Sequence, residues 1–255
     1  MSLTLQDIGY TIGEAKLLKN ITLKANPGEL TAIVGPNGAG KSTALKLLSG
    51  DIQPTYGNVT INDEELGTYS AKNLAHLRAV LPQQIYPAFG LKVWEMVRLA
   101  RAPFNDNNSE AAHYIEEALN LVDAVHLADR DVMTLSGGEK QRVFLAKALA
   151  QVSMRSTSSD NRRYLLLDEP TASLDLKQAQ IVMRILRKAA DEGLGIIVIL
   201  HDLASTRRYA DKAFVLKEGT VDVCGSPIEC LTKENISQVF DIDLTTAEDS
   251  LHEVI

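Results

Sequence analysis

Three short runs of apolar residues predict buried parallel strands. They are LTAIV (residues 30–34), YLLL (residues 164–167) and GIIVIL (residues 195–200), and polar or glycine-rich residues follow each of them. Continuous apolar runs of this length are typical of strands that are covered on both faces. Because ligands of open α/β sheets bind beyond the carboxyl ends of the strands, we expect the chemistry of the protein directly after these three runs.

Other segments alternate or show helical periodicity. LTLQDIGYTI, KNITLKA and GNVTINDEEL alternate between polar and apolar positions, which predicts antiparallel strands. In VWEMVRLAR and SEAAHYIEEALNLVDAVHLA the apolar residues recur at helical spacing instead. We therefore predict one domain over residues 1–255, with an α/β core and antiparallel β subdomain (1–86 and 156–255) and an inserted α-helical lobe (87–155).

The composition is that of an ordinary globular protein and argues against several classes. The 255 residues are 45% apolar and 23% charged, which suits one domain with an inserted lobe. A net charge of −7 disfavours nucleic acid as a partner. The N-terminus lacks a signal-peptide pattern, and the apolar runs are too short to span a bilayer. Cys224 and Cys230 lack metal-binding spacing, so we expect reduced thiols in an intracellular protein.

Residues 35–42, GPNGAGKS, match the phosphate-binding pattern G-x-x-x-x-G-K-[ST] in full. The match follows a predicted strand and precedes a predicted helix that ends at Gly50, which is the required context. We predict that Lys41 reaches the β- and γ-phosphates and that Ser42 binds Mg²⁺ through its hydroxyl. The expected fold is therefore α/β, of the P-loop NTPase (RecA-like) type. The predicted nucleotide contacts in this loop are Gly35, Pro36, Asn37, Gly38, Ala39, Gly40, Lys41, Ser42 and Thr43.

Two acids and a histidine follow the other two buried runs. Asp168 and Glu169 come directly after YLLL, where a carboxylate pair would be costly without a cation. We predict that Asp168 holds Mg²⁺ through a water molecule and that Glu169 polarises the water that attacks the γ-phosphate. His201 follows GIIVIL at the same sheet edge. This position favours a contact to the γ-phosphate over the structural role that is usual for a lone histidine.

The stretch TLSGGEKQR (residues 134–142) is a second small-residue turn. Ser136 and Glu139 have the spacing of a capping box, and Gly137 and Gly138 leave the first helical N–H groups accessible to an anion. The capping box alone would explain the turn. Two adjacent glycines, however, weaken a helix by about 1 kcal/mol each, so a functional role is the stronger interpretation.

Together and in this order, GPNGAGKST, LSGGEKQR, LLLDEP, SLD and HD resemble the motifs of the ATP-binding cassette ATPases over nearly the whole chain. The resemblance implies two chains packed head to tail. Each ATP would lie between the phosphate loop of one chain and the signature turn of the other, and that turn consists of Ser136, Gly137, Gly138 and Glu139.

The same resemblance assigns three further positions. Gln83 in LPQQ would contact Mg²⁺ and link the two lobes, with Gln84 as the less favoured choice. Asp175 would lie on the loop that crosses the dimer interface. Tyr10 would stack on adenine, unless it is an ordinary strand tyrosine, because stacking requires no fixed motif.

The resemblance extends to an import function. It implies an ATP-hydrolysing translocase subunit on the cytoplasmic face of a bacterial inner membrane, bound peripherally. Its partners would be a second copy of itself, two permease subunits and, indirectly, a periplasmic solute-binding protein. A soluble cassette ATPase that acts on DNA or ribosomes is the alternative, but such proteins usually carry a coiled-coil insertion or a second cassette.

Two features bear on the cargo. LPQQIYPAFGLKVWEMVRLAR and ADKAFVLKEGTVDVCGSPIECL resemble the subgroup that serves iron-siderophore, vitamin B12 and haem permeases. The link AQVSMRSTSSDNRRYLLLDEP is longer than in most cassettes and resembles that of the haem importers, although loops also tolerate insertions without a function. Haem is therefore the first expectation, a ferric siderophore the second, and vitamin B12 or a metal ion the third.

Overall fold

The strands form a mainly parallel sheet and an antiparallel one. The computed structural model describes residues 1–83, 90–152, 162–172 and 174–252. The strands are β1 (Leu3–Ile12), β2 (Ala15–Ala25), β3 (Leu30–Val34), β4 (Tyr56–Ile61), β5 (Glu64–Glu65), β6 (Arg78–Leu81), β7 (Tyr164–Asp168), β8 (Gly195–Ile199), β9 (Lys212–Lys217) and β10 (Thr220–Gly225). The α-helices are α1 (Lys41–Ser49), α2 (Ala71–Leu77), α3 (Val93–Arg98), α4 (Asn108–Leu121), α5 (Gly137–Gln151), α6 (Leu176–Asp191), α7 (Leu203–Tyr209), α8 (Pro227–Cys230), α9 (Lys233–Phe240) and α10 (Leu244–Asp249).

The central sheet has the strand order β10-β9-β3-β8-β7-β6, and its pairs are parallel except for β9 with β10. The three apolar runs of the sequence form its adjacent strands β3, β8 and β7, as predicted. Within β3, Leu30, Ala32 and Val34 face one buried cluster, whereas Ile33 faces the other. Both faces are therefore covered, which explains why these strands carry almost no polar positions.

The antiparallel sheet has the order β2-β1-β4-β5 and confirms the strands that were predicted from alternation. Helix α1 lies between the two sheets. Its Ala44 and Leu48 share a buried cluster with Leu5 of β1, Leu23 of β2 and Ile197 of β8. The helix that follows the phosphate loop is thus held on two sides by apolar packing, which makes its N-terminus a rigid platform.

Helices α3, α4 and α5 share the cluster that covers the other face of the central sheet. The long periodic run that was expected to continue to residue 128 is interrupted, because α4 ends at Leu121 and Asp123 adopts a positive φ of 52°. A 3-10 turn then covers Val125–Leu127. The α/β class is confirmed, while the boundaries of the inserted lobe lie at residues outside the described ranges and remain a prediction.

Two parts of the fold were missed. Strand β6 has only two fully buried apolar side chains, Ala79 and Leu81, which is too short a pattern to recognise. The largely polar C-terminal segment, for which no element was predicted, forms α9 and α10, and these helices pack through a few side chains such as Ile236, Val239 and Ala247. Within the described ranges, no helix combines the length and the apolar character needed to cross a membrane.

Candidate functional site

The predicted site residues leave the central sheet at one edge. Strands β3, β8 and β7 are parallel neighbours, with Ile33 paired to Ile199 and Ile199 to Asp168. The phosphate loop, the two acids and the histidine therefore follow strands that end at the same level. The structure brings together Lys41, Asp168, Glu169 and His201, as the sequence predicted.

The phosphate loop has a backbone that glycine alone can adopt at its two ends. Gly35 has φ of 145°, and a Cβ there would lie 2.1 Å from the carbonyl oxygen of Leu216. Gly40 has φ of 98°, and a Cβ there would lie 2.6 Å from a methyl group of Leu18. Gly40 is also the N-cap of α1, and it has no side chain that could accept a hydrogen bond from the first N–H groups of the helix. The first N–H groups of α1 consequently remain available to an anion.

Lys41 is buried within this loop. Its Nζ donates to the carbonyl oxygens of Gly35 at 2.7 Å and Pro36 at 2.9 Å. Burial lowers the pKa of the Lys41 ammonium, and the charges of Glu169 and Asp168 oppose that effect. The side chain thus places a cation against the loop backbone, where it can contact the phosphates of a nucleotide.

Asp168, the last residue of β7, has the environment of a cation ligand. It is buried, and its Oδ1 has no hydrogen-bond partner among the described residues. Burial raises the pKa of this carboxyl, whereas a hydrogen bond with Ser42 lowers it. An isolated buried carboxylate oxygen is costly unless a cation lies beside it. Together with the Ser42 hydroxyl, Asp168 therefore fits the magnesium site that the sequence predicted.

Two side chains bind the carboxylate of Glu169, and its backbone conformation is uncommon. Its backbone has a positive φ of 50°, which is a strained conformation for a residue with a side chain. Its Oε1 is hydrogen-bonded to Nε2 of His201, and its Oε2 accepts from Nε2 of Gln83 at 2.6 Å. Asp202 caps α7 by accepting from the backbone N–H of Ala204 at 3.0 Å, which orders the chain directly after His201. The arrangement orients a carboxylate suited to proton transfer.

The signature turn forms the capping box that its sequence predicted. Ser136 accepts from the N–H of Glu139 at 3.3 Å, and the Glu139 carboxylate accepts from the N–H of Ser136 at 2.8 Å. The backbone N–H and the hydroxyl of Ser136 both donate to the Glu139 carboxylate and lower its pKa, and the nearby charges of Arg130 and Arg142 lower it further. Gly137 is exposed and has open space where a Cβ would lie. The turn is therefore rigid, and a ligand can approach its first N–H groups.

A cavity of about 230 Å³ adjoins this turn. It is lined by Ser136 and Gly138 on one side and by Leu174, Asp175 and Gln178 on the other. None of its described lining residues belongs to the phosphate loop. The signature turn thus adjoins the start of α6 in its own chain rather than its own phosphate cradle.

Asp175 and Tyr10, to which the family resemblance assigned roles, lie in different environments. Asp175 is exposed and caps α6 by accepting from the N–H of Gln178 at 2.8 Å, and its neighbour Leu176 is 58% exposed. Tyr10 is half-buried and packs against the core, so its role in stacking remains a prediction. Gln84 lies outside the described residues.

Sequence reasoning missed Gln141. Its side chain is buried, and its Nε2 donates to the carbonyl oxygen of Pro170 at 3.0 Å. The residue lies within the LSGGEKQR stretch. The signal that could have found it is a polar residue on the face of α5 that also carries the buried Phe144, Leu145 and Ala148.

Comparison with known proteins agrees with this geometry. Residues 18–172 match the ABC transporter family. The hemin import ATP-binding protein HmuV of Gloeobacter violaceus is 43% identical over 237 residues, 92% of this chain and 86% of that protein. HmuV of Rhodopseudomonas palustris is 42% identical over 95% of this chain and 91% of that protein.

Solved structures of transporter cassettes have the same fold. The cbiO1 protein from Clostridium perfringens, part of the ABC transporter complex cbiONQ, superposes with a TM-score of 0.78 at 28% identity, covering 96% of this chain and 97% of that one. A dimeric bacterial ABC transporter cassette gives 0.75 at 28% identity, covering 88% and 98%. The family match covers more than half of the chain and agrees with the phosphate loop, the acids and the signature turn. The chain therefore belongs to the ABC transporter family and is an ATP-binding cassette ATPase.

Proposed function

We propose that this chain is the ATP-hydrolysing subunit of a bacterial haem importer and works as a dimer on the cytoplasmic face of the inner membrane. Two permease subunits would carry the substrate across, and a periplasmic solute-binding protein would deliver it. The observation that carries the ATPase assignment is the convergence of Lys41, Asp168, Glu169 and His201 at one sheet edge. The similarity to hemin import ATP-binding proteins supports haem as the cargo.

The residues at the sheet edge divide the chemistry of hydrolysis among them. Lys41 and the N-terminus of α1 bind the phosphates and neutralise their charge. Ser42, Gln83 and Asp168 would hold Mg²⁺, which supplies further neutralisation of the β- and γ-phosphate oxygens. Glu169 orients the attacking water and accepts its proton. His201, hydrogen-bonded to Glu169, lies where it can also contact the γ-phosphate.

The dimer is proposed from the surfaces that the single chain leaves exposed. Ser136 and Gly137 are exposed beside a cavity that no phosphate-loop residue lines, and Asp175 and Leu176 are exposed next to it. An exposed apolar side chain beside an exposed helix N-terminus suits a second copy that brings its own ATP. ATP would then hold the two chains together, and hydrolysis would release them, because a ligand shifts such an equilibrium only by binding one state better.

Thiol crosslinking tests this head-to-tail arrangement. Cys224 and Cys230 are first replaced by serine and alanine, and cysteines are then introduced at Asn37 and Gly137, which are both exposed. With a non-hydrolysed ATP analogue and a short thiol crosslinker, we expect a product of two chains on a denaturing gel. The reason is that the phosphate loop of one chain would face the signature turn of the other across a single nucleotide.

The matched control moves the second cysteine to Gly67, which is also exposed with open space around it but lies far from the signature turn in sequence. That pair should give little two-chain product. A crosslink that stays within one chain, or equal two-chain product from both pairs, would contradict the proposed dimer.

The cargo is tested by reconstitution. The chain and its permease are placed in vesicles, and ATP hydrolysis is measured with candidate solute-binding proteins. We expect the haem-loaded binding protein to stimulate hydrolysis more than the empty protein or proteins loaded with ferric siderophore or vitamin B12. Stronger stimulation by a siderophore-loaded or vitamin-loaded protein would show that this compound, and not haem, is the cargo. The ATPase assignment would be unaffected.

A further inference from the structure

Gln141 connects the signature helix to the chain segment that carries Glu169. It lies on α5, one turn after the N-cap Ser136, and its side chain is only 8% exposed. Its Nε2 donates to the Pro170 carbonyl oxygen at 3.0 Å, and this bond is buried. It spans 29 residues of sequence and joins two separate elements of the fold.

The accepting carbonyl belongs to a backbone that needs support. Glu169, directly before Pro170, has a φ of 50°, and such a conformation persists only where the surroundings enforce it. Proline has no N–H, so Pro170 cannot donate a backbone hydrogen bond that would hold this turn. The turn's own bond, from the N–H of Ala172 to the Glu169 carbonyl, is long at 3.3 Å. The bond from Gln141 is therefore a strong external constraint on the residue next to the carboxylate.

The same two elements also lie close to each other at the first turn of α5. A Cβ at Gly138 would lie 3.5 Å from Cδ2 of Leu174, which is ordinary van der Waals contact. Leu174, four residues after Pro170, thus lies near the first turn of α5, while Gln141 bonds to Pro170 itself. Glu169 is consequently tied on its side-chain end to Gln83 and His201 and on its backbone end to α5.

We propose that Gln141 is a positioning residue for hydrolysis, which holds the backbone of Glu169 through the carbonyl of Pro170. It links the signature turn to the catalytic carboxylate of its own chain. This inference rests on the proposed function, in which Glu169 accepts a proton from the attacking water. Because Gln141 touches no residue of the phosphate loop in the hydrogen bonds described, its effect falls on turnover rather than on ATP binding.

The test compares two glutamines of the same helix in the full-length chain. Gln141→Met removes the donor while keeping side-chain length and helix propensity. Gln151→Met is the matched control, because Gln151 also donates from Nε2 to backbone carbonyls, of Ala75 at 3.0 Å and Arg78 at 2.9 Å. We expect Gln141→Met to lower kcat about tenfold with the KM for ATP unchanged, the size expected for one lost buried hydrogen bond. Gln151→Met should leave both constants unchanged, although each variant loses thermal stability.

Two further variants keep the outcome decisive. Gln141→Asn retains the amide but shortens the side chain by one methylene, so its kcat should fall in the same way. This variant keeps the test valid if the methionine variant does not fold. In a Glu169→Gln background, Gln141→Met should leave the amount of ATP-stabilised dimer unchanged, as measured by gel filtration.

An unchanged kcat in both Gln141 variants would overturn the proposal. A raised KM or a weakened ATP-stabilised dimer would also overturn it, because either result would place the effect in the signature turn. An equal loss of kcat in Gln151→Met would do so as well, because it would indicate general destabilisation. Failure of the proposed function has a different signature, namely that Glu169→Gln itself continues to hydrolyse ATP.

Discussion

Replacing Glu169 with glutamine is expected to lower ATP hydrolysis by at least about a hundredfold, the size of a lost general base, while ATP binding stays intact. Glutamine has nearly the same shape and can keep a hydrogen bond to Gln83 or His201, but its amide cannot accept the proton of the attacking water. Because the bound ATP is not consumed, the variant should accumulate as an ATP-bound dimer. Phosphate release and gel filtration in the presence of ATP measure the two effects.

Glu192→Gln is the matched control for this change. Glu192 lies at the end of α6 with an exposed side chain, 3.9 Å from Lys188, and has no part in the proposed site. Its replacement should leave hydrolysis unchanged, because exposed ion pairs contribute little. Hydrolysis by Glu169→Gln at the rate of the unmodified chain would show that another group accepts the proton.

Replacing Lys41 with methionine is expected to weaken ATP binding about a hundredfold, the upper range for losing charge-assisted hydrogen bonds. Methionine fills most of the buried volume, so the loss reports on the charge rather than on a cavity. The ammonium donates to the carbonyls of Gly35 and Pro36, which hold it at the loop, and its charge-assisted bonds to phosphate oxygens would be stronger than these. Titration with a fluorescent ATP analogue measures the affinity.

Lys188→Met serves as the control for loss of a lysine charge, since its side chain is 64% exposed on α6. It should bind ATP as the unmodified chain does. Normal affinity in Lys41→Met, with the fold verified by its thermal unfolding transition, would mean that the loop backbone and α1 suffice to hold the phosphates.

Several elements followed from local pattern alone. The strands β3, β7 and β8 were readable because each is buried on both faces and so consists almost wholly of apolar residues. The phosphate loop was readable because its glycines, its lysine and the helix after it are neighbours in sequence. The capping box of Ser136 and Glu139 also depends on residues only three positions apart. The break after α4 was missed, because periodicity continues through the turn at Asp123.

The sequence by itself determined which residue types follow which strands, and hence that Lys41, Asp168, Glu169 and His201 would meet at one edge. Only the tertiary structure decided how Glu169 is held, since its partners Gln83, His201 and, through Pro170, Gln141 come from distant parts of the chain. Helical and strand periodicity indicate which face of an element is buried. They do not indicate which polar atom of a neighbouring element a buried amide will bond to. That pairing depends on how α5 packs against the turn after β7, and packing of this kind is a property of the assembled fold.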